Sequence, residues 1–237
     1  MQRKLLAILA VGYLLYFFSE RVYWAHFIPQ DTMSSILLGW LGYSVAAWCT
    51  LGLIAYFKPA TLAEWILIGA IYGWIVEGVL ATSLYTELPI SLTHTTLSWH
   101  MPLCVMVLYG LTQALQARTM RPLLIVVVSI GSFVGLWGLW GYETEGYLFG
   151  PFMVHILLNT LVFMGAWRVI EFAGKRKVQC GLFDLCIAGS LLAAYFVFTI
   201  MPYYWYAPFV ILPLILGSLF VLWYYAPLRT HNPVMFP

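Results

Sequence analysis

An all-α integral membrane protein is the fold class that this sequence predicts, and three observations carry the prediction. Hydrophobic residues make up 63% of the 237 residues, whereas charged residues make up only 8%. A soluble domain covers its surface with about 25% charged residues, so this chain lacks the polar surface that water requires. The mean hydropathy is +0.90, and long apolar runs alternate with turn residues. A run of about 20 apolar residues spans a bilayer as a helix.

The apolar runs predict a bundle of about eight transmembrane helices in a single domain that covers residues 1–237. Proline, glycine or charged residues separate the runs, as at Lys58-Pro59 and from Gly141 to Gly146, and such residues mark turns. We find no internal repeat and no low-complexity segment. The candidate spans are 5–20, 33–57, 60–85, 93–115, 122–141, 148–170, 180–200 and 206–226.

The basic residues predict the orientation of the bundle, because cytoplasmic segments of membrane proteins are enriched in Lys and Arg. With the N-terminus inside, all of the eleven basic residues except Arg21 fall on the cytoplasmic side. We therefore expect a multi-pass protein with both termini in the cytoplasm. The aromatic clusters at Tyr203 to Tyr206 and at Trp223 to Tyr225 then lie at the outer and inner interfaces, where amphipathic rings are favoured.

Composition also narrows the partners and cofactors. The net charge of +2 is too small to indicate nucleic acid binding, so the expected surroundings are the lipid bilayer and a substrate within it. The sequence identifies no protein partner. The four cysteines show no metal spacing and no disulfide framework, and we interpret them as small buried hydrophobic residues. They are Cys49, Cys104, Cys180 and Cys186.

Four polar residues interrupt the apolar spans. Glu77 lies in the third span, His100 in the fourth, and His155 and Asn159 in the sixth. Ionisable groups inside a membrane cost about 2.5–3.5 kcal/mol on insertion scales and usually mark function. At 1.5 Å rise per residue, Glu77, His100 and His155 each lie roughly 10–12 Å below the outer face. Their shared depth predicts one catalytic site, although buried His and Asn also simply join membrane helices by hydrogen bonds.

The residue types indicate the chemistry that such a site supports. Glu77 would act as a general base that activates water, while the two histidines and Asn159 would position it or stabilise an oxyanion. The same Glu77, His100 and His155 also form a two-histidine, one-carboxylate set that suits Zn²⁺ or Fe²⁺. The cofactor is therefore either none or a divalent metal such as zinc. The sequence has no HExxH, no nucleophile elbow and no phosphate loop.

Further polar residues lie in loops on the same predicted side. Glu143, Glu145 and His94 are possible additional site residues, and the first two precede the helix of His155 directly. The remaining charged and polar loop residues on this side are interpreted as solvated. These are Glu20, Arg21, His26, Asp31 and Glu87.

These positions resemble the CAAX-protease and bacteriocin-processing family of intramembrane endopeptidases over residues 60–170. His155 and Asn159 match the histidine-x-x-x-asparagine motif of that family. The resemblance implies that His100 is the second-motif histidine and that Glu77 is the catalytic glutamate. Gly78 stands where the family has a second glutamate, and Thr96 stands where it has phenylalanine. The resemblance implies eight helices and peptide-bond hydrolysis.

The function that we expect is therefore an intramembrane hydrolase, endopeptidase-like, acting on a membrane-embedded or lipidated substrate. Two alternatives use the same residues differently. A transporter or non-enzymatic membrane subunit would use them as a proton or substrate relay. A metal-dependent lipid-modifying enzyme would use them as ligands.

Overall fold

The computed structural model describes residues 2–22, 31–86, 88–116, 149–174 and 180–225. Most of these residues are helical, and there is no strand among them. Helices occupy seven of the eight predicted spans, and the other, 122–141, lies outside the described residues. The helices are α1 (Gln2–Tyr16), α2 (Met33–Phe57), α3 (Leu62–Ile75), α4 (Met101–Gln116), α5 (Phe149–Gly174), α6 (Leu182–Tyr195) and α7 (Ala207–Tyr225).

Five helical stretches are long and apolar enough to cross a membrane. Because that length and apolarity match the thickness of a bilayer, they support the predicted membrane class. They are Met33–Phe57, Leu62–Leu80, Gly150–Ala173, Leu182–Ile200 and Ala207–Tyr225.

Local sequence signals set the ends of α2 and α3. Thr32 and Thr61 each form a capping box with the residue three positions later, which satisfies backbone N–H groups of the first turn. Helix α2 ends at Lys58, which has a left-handed backbone with φ 47°, and Pro59 cannot continue the helix. The break that was predicted at Lys58-Pro59 is confirmed.

Helix α3 lies at the centre of the described bundle. It packs against α4 and α7, while α1 packs against α2 and α5, and α2 also packs against α6. In the stretch Leu62–Leu80, 78% of the most apolar window is buried, against 17% in Gly150–Ala173. A helix that is apolar on every side belongs in the interior, so α3 is well placed to hold a buried site.

The two ends of the bundle differ in charge. At the end where α1 begins, Lys4 donates to Asp184 at 2.6 Å, and Arg3 lies 6.0 Å from the ring of Phe172. We call this the Lys4 end. Among the described Lys and Arg residues, only Arg21 lies at the opposite end, which we call the Arg21 end.

Four π-helical turns in the described part of the chain all lie toward the Arg21 end. They extend α1, α3 and α6 and precede α4, as Phe17–Arg21, Val76–Leu80, Phe196–Ile200 and Thr96–His100. A π-helical turn inserts an extra residue into a helix and is frequent at functional sites.

The cysteines only partly follow the prediction that all are buried. Cys49 and Cys104 are buried, as expected, and Cys180 is half-buried. Cys186 is exposed, so the prediction is wrong there. It lies on α6, one helical face of which is open in the described structure.

Candidate functional site

Glu77 and His100 form a direct buried pair between α3 and α4. The Nε2 atom of His100 lies 2.7 Å from Oε1 of Glu77, and the two side chains are 4% and 6% exposed. Each residue lies in a π-helical turn of its helix. The sequence placed these two residues at the same depth, and the structure brings them into contact.

Two glycines let α3 and α4 approach closely enough for this contact. A Cβ atom added to Gly73 would lie 2.4 Å from the carbonyl oxygen of Thr96, and one added to Gly69 would lie 2.9 Å from that of Met101. Gly69, Gly73 and Glu77 are spaced by four residues, so they share one face of the helix. Small residues at this spacing commonly join helices in membranes.

Ser19 completes a line of three hydrogen-bonding side chains. Its Oγ lies 3.2 Å from Nδ1 of His100, on the opposite side of the imidazole from Glu77. The indole N–H of Trp99 donates to the Ser19 carbonyl at 3.2 Å and holds this turn in place. Ser19 is 3% exposed. We call Ser19, His100 and Glu77 the His100 relay.

Two buried oxygen atoms beside the His100 relay have no hydrogen-bond partner. They are Oε2 of Glu77 and the hydroxyl of Tyr72. The Tyr72 ring lies 6.5 Å from the His100 ring. Buried polar atoms nearly always have partners, and one without a partner costs about 1–3 kcal/mol. These atoms therefore mark a place where a water or a substrate group would gain hydrogen bonds.

The π-helical turn Phe17–Arg21 explains how one segment reaches several helices. Ser19 contacts His100 of α4's π turn, Glu20 accepts a hydrogen bond from the hydroxyl of Tyr43 on α2 at 2.6 Å, and Arg21 reaches His155 on α5. In a regular α-helix three consecutive residues point in directions about 100° apart. The wider turn directs all three into the bundle.

Arg21 forms a buried ion pair with Asp31 and also contacts His155. We call these three residues the Arg21 cluster. The two terminal nitrogens of Arg21 donate to the two carboxylate oxygens of Asp31 at 3.0 and 2.6 Å, and its Nη2 lies 3.3 Å from Nε2 of His155. The Arg21 and Asp31 side chains are 3% and 8% exposed. This two-point geometry is the strongest form of an arginine–carboxylate pair.

His155 and Asn159 lie one turn apart on α5, as the motif predicted. The Asn159 side chain donates to the His155 carbonyl at 2.8 Å, and its Oδ1 accepts from the Tyr13 hydroxyl at 3.0 Å. Asn159 therefore joins α5 to α1.

The predicted site residues thus form two pairs instead of one constellation. Glu77 pairs with His100, and His155 pairs with Asn159, and the turn that holds Ser19 and Arg21 connects the pairs. Within the described ranges no three His, Cys, Asp or Glu side chains lie close enough to hold a metal ion. This finding does not support the predicted ligand set of Glu77, His100 and His155.

The structure changes the interpretation of several of the remaining candidate residues and loop charges. His94 is exposed, and Glu143 and Glu145 lie outside the described residues, as do His26 and Glu87. Arg21 and Asp31 are not solvated loop charges, because both side chains are buried in their ion pair. The sequence held one signal of this burial. Arg21 is the single basic residue on the predicted outer side, and its burial against Asp31 accounts for that exception.

A cavity of about 620 Å³ opens beside the π-helical turn of α1. Its polar lining comes from Glu20, Arg21 and Asp31. Tyr43 also lines the cavity, and its ring centroid lies 6.5 Å from that of His100. Glu77, His100 and His155 do not line it. The apolar wall includes Leu38, Leu41, Leu80, Leu191 and Tyr195.

No family model, no curated protein and no solved structure matches this chain. The interpretation of the site therefore rests on its own residues and their geometry.

Proposed function

We propose that this protein is an integral membrane hydrolase in which Glu77 and His100 activate an oxygen nucleophile against a carbonyl group of a membrane-embedded or lipidated substrate. The observation that carries the proposal is the buried pair itself. One Glu77 oxygen is fixed by His100 at 2.7 Å, while the other is buried without a partner.

Membrane insertion is supported by apolar helices and by the distribution of charge. Five helical stretches have the length and apolarity of membrane spans, and the described basic residues other than Arg21 lie at the Lys4 end. We propose that the chain crosses the membrane about eight times with both termini in the cytoplasm, as basic residues favour the cytoplasmic side. The site then lies in the outer half of the bilayer.

The carboxylate–imidazole pair supports general-base chemistry. Glu77 orients the imidazole and stabilises the positive charge that it acquires on taking a proton, which is the usual role of a carboxylate next to a catalytic histidine. A site that excludes water strengthens these electrostatic interactions. A pair that served only to join α3 and α4 would not need an unpartnered carboxylate oxygen.

The cavity supports the proposed class of substrate. Ligand sites of this kind are largely apolar, have volumes of about 300–1,000 Å³ and contain a few polar groups that fix orientation. Leu38 and Leu41 are exposed, so the cavity is open on the side that we expect to face lipid. An apolar chain fits along this wall, with its polar group near Glu20 and Arg21. The resemblance to intramembrane endopeptidases supports an amide or ester substrate.

The test compares two buried glutamates of the same helix. The purified protein in detergent is assayed with a long-chain acyl ester of 4-methylumbelliferone and with a quenched lipopeptide. Glu77→Gln removes the ionisable oxygen, and we expect turnover to fall by about 10²–10⁴-fold, the usual contribution of general-base catalysis. Glu64→Gln is the control, because Glu64 caps the other end of α3 and lies far from His100. Full activity in Glu77→Gln would contradict the proposal, as would wild-type protein that hydrolyses neither compound.

A proton-coupled transporter is the second candidate function. It is favoured by the continuous line of hydrogen bonds from Glu77 through His100 to Ser19, since such lines carry protons in membrane proteins. Acidification of proteoliposomes that depends on Glu77, without hydrolysis of either compound, would favour transport.

A further inference from the structure

We infer that Ser19 is the nucleophile of this site and attacks the substrate carbonyl through its hydroxyl oxygen, forming an acyl-enzyme. This inference rests on the proposed hydrolase function and adds to it a covalent step. It assigns the substrate to the acyl compounds, namely esters, thioesters or amides.

The geometry of the His100 relay carries the inference. A serine nucleophile needs a base within hydrogen-bond reach and a third group that orients the base. Ser19 Oγ is 3.2 Å from one ring nitrogen of His100, and Glu77 is 2.7 Å from the other. The same three roles recur in unrelated folds and are recognised by geometry instead of sequence order.

The Glu77 carboxylate determines which ring nitrogen of His100 carries the proton. An ionised carboxylate only accepts hydrogen bonds, so with Glu77 ionised the Nε2 atom of His100 carries the hydrogen that it donates to Glu77. Nδ1 is then an acceptor, and the Ser19 hydroxyl donates to it.

Two other buried serines are used differently. Ser44 donates to the carbonyl of Trp40 at 2.7 Å, and Ser91 donates to that of Leu84 at 2.7 Å. These contacts satisfy each hydroxyl on a nearby backbone carbonyl and need no function. The Ser19 hydroxyl instead lies against an imidazole from another helix.

Tyr72 provides a hydrogen-bond donor for the charge that develops during attack. Its hydroxyl is buried without a hydrogen-bond partner, and its ring lies 6.5 Å from that of His100. A donor placed before the reaction stabilises an oxyanion without the cost of reorientation. This gives the unpartnered phenol a role as the oxyanion donor.

The proposed cycle balances without any further reactant than water. Ser19 Oγ bonds to the carbonyl carbon and passes its proton to Nδ1 of His100. The bond from that carbon to the leaving oxygen, sulfur or nitrogen breaks, and His100 returns the proton to the leaving group. Water then attacks the acyl-serine, giving a proton to His100. Ser19 departs with that proton, and the carboxylic acid is released.

The substrate would reach Ser19 from the cavity described above. Glu20, the next residue, lines that cavity, and the hydroxyl of Tyr43 on its wall bonds to Glu20. Ser19 is 3% exposed, so a probe has to enter along the apolar wall. A reagent with an alkyl chain therefore suits this site better than a small polar one.

A long-chain alkyl fluorophosphonate tests the inference on the full-length protein in detergent. Wild-type protein should be labelled, and peptide mapping should place the label on Ser19. Ser19→Ala should abolish labelling, and Glu77→Gln should slow it by about 10²-fold or more. Ser44→Ala is the matched buried-serine control and should be labelled at the wild-type rate. If Ser19→Ala unfolds, Ser19→Cys is labelled with an alkyl maleimide and the label is located by peptide mapping, because the exposed Cys186 also reacts. Label at position 19 shows that the position is reachable, and its absence contradicts the inference.

The outcomes separate the inference from the proposed function. Label on any other residue, or persistent labelling of Ser19→Ala, overturns the assignment. The folded wild-type protein could also resist the probe and still hydrolyse an acyl substrate in a manner that depends on Glu77. That result overturns the assignment of Ser19 and leaves water as the nucleophile. Protein that neither reacts nor hydrolyses removes both proposals.

Discussion

The two polar groups that meet on the turn Phe17–Arg21 differ in how their carboxylates are paired. The Arg21 cluster sets a buried guanidinium against both oxygens of Asp31. The His100 relay has a similar number of side chains, but an oxygen of Glu77 remains without a partner. The first arrangement is compact and charge-compensated, and the second leaves a position for another molecule.

This difference indicates a division of roles within one segment. A buried ion pair is strongly destabilising when one partner is lost, so the Arg21 cluster should matter most for folding. A buried carboxylate oxygen without a partner lowers stability, so the His100 relay should matter most for reactivity. We expect mutations on the two sides of the turn to separate stability from activity.

Replacing Arg21 with Met should have the largest effect on stability. The change removes the cation that compensates the buried Asp31 carboxylate, which typically costs about 3–5 kcal/mol. Thermal unfolding in detergent measures it. The control is Arg168→Met, because the side chain of Arg168 is 80% exposed and its pair with Glu171 should be worth about 0–1 kcal/mol. Equal effects for the two variants would show that Arg21 is not buried as described.

Gly73→Ala should weaken the contact between α3 and α4. The added methyl would lie 2.4 Å from the Thr96 carbonyl, and forcing extra volume into packed helices costs about 1–3 kcal/mol. Labelling by the fluorophosphonate should fall as well, because the distance from Glu77 to His100 depends on this approach. Gly165→Ala is the control, since a Cβ there meets nothing within 4 Å. If Gly73→Ala is as stable and reactive as Gly165→Ala, the close approach is not required.

The sequence was sufficient to predict the helical class. It placed Glu77, His100 and His155 at one depth as a single site, and of these only Glu77 and His100 are in direct contact. Apolar runs and turn residues place helices directly, because their period and length follow from local geometry. Depth along a helix can also be counted from its ends, and two residues that this count put at one level, Glu77 and His100, lie in contact. The spacing of Gly69, Gly73 and Glu77 would have added that these helices touch.

The partners of Ser19, Arg21 and Asp31 could not be predicted in the same way. Ser19 and Arg21 lie in a π-helical turn, and the extra residue of that turn changes the faces on which they point, so counting along a regular helix fails there. Asp31 reaches Arg21 from a separate segment, and such a pairing depends on the tertiary fold. Depth alone also does not show azimuth, so it did not reveal that His155 faces Arg21 instead of Glu77.

His155→Ala should lower stability by less than the preceding variants, and it should distinguish the Arg21 cluster from the His100 relay. The change removes the contact with Arg21 at 3.3 Å, and polar contacts between membrane helices are worth about 0.6–2 kcal/mol. If His155 only supports the Arg21 cluster, the variant should unfold at a lower temperature while the folded protein is labelled by the fluorophosphonate at close to the wild-type rate. A loss of labelling as large as that of Glu77→Gln would place His155 in the reactive site instead.

Tyr13→Phe should produce the smallest effect and reports on how α5 is held against α1. It removes one hydroxyl, whose hydrogen bond to Oδ1 of Asn159 is 3.0 Å long, and leaves the ring contacts in place. The average hydrogen bond between membrane helices contributes about 0.6 kcal/mol, so we expect a small decrease in the unfolding temperature.

The control is Tyr56→Phe, because Tyr56 is 49% exposed and its hydroxyl should contribute nothing measurable. Labelling at Ser19 should be unchanged in both variants, since Asn159 touches the Arg21 side of the turn only through His155. If Tyr13→Phe slows labelling without lowering stability, then the position of α5 controls the reactive site, and the two sides of the turn are coupled instead of separate.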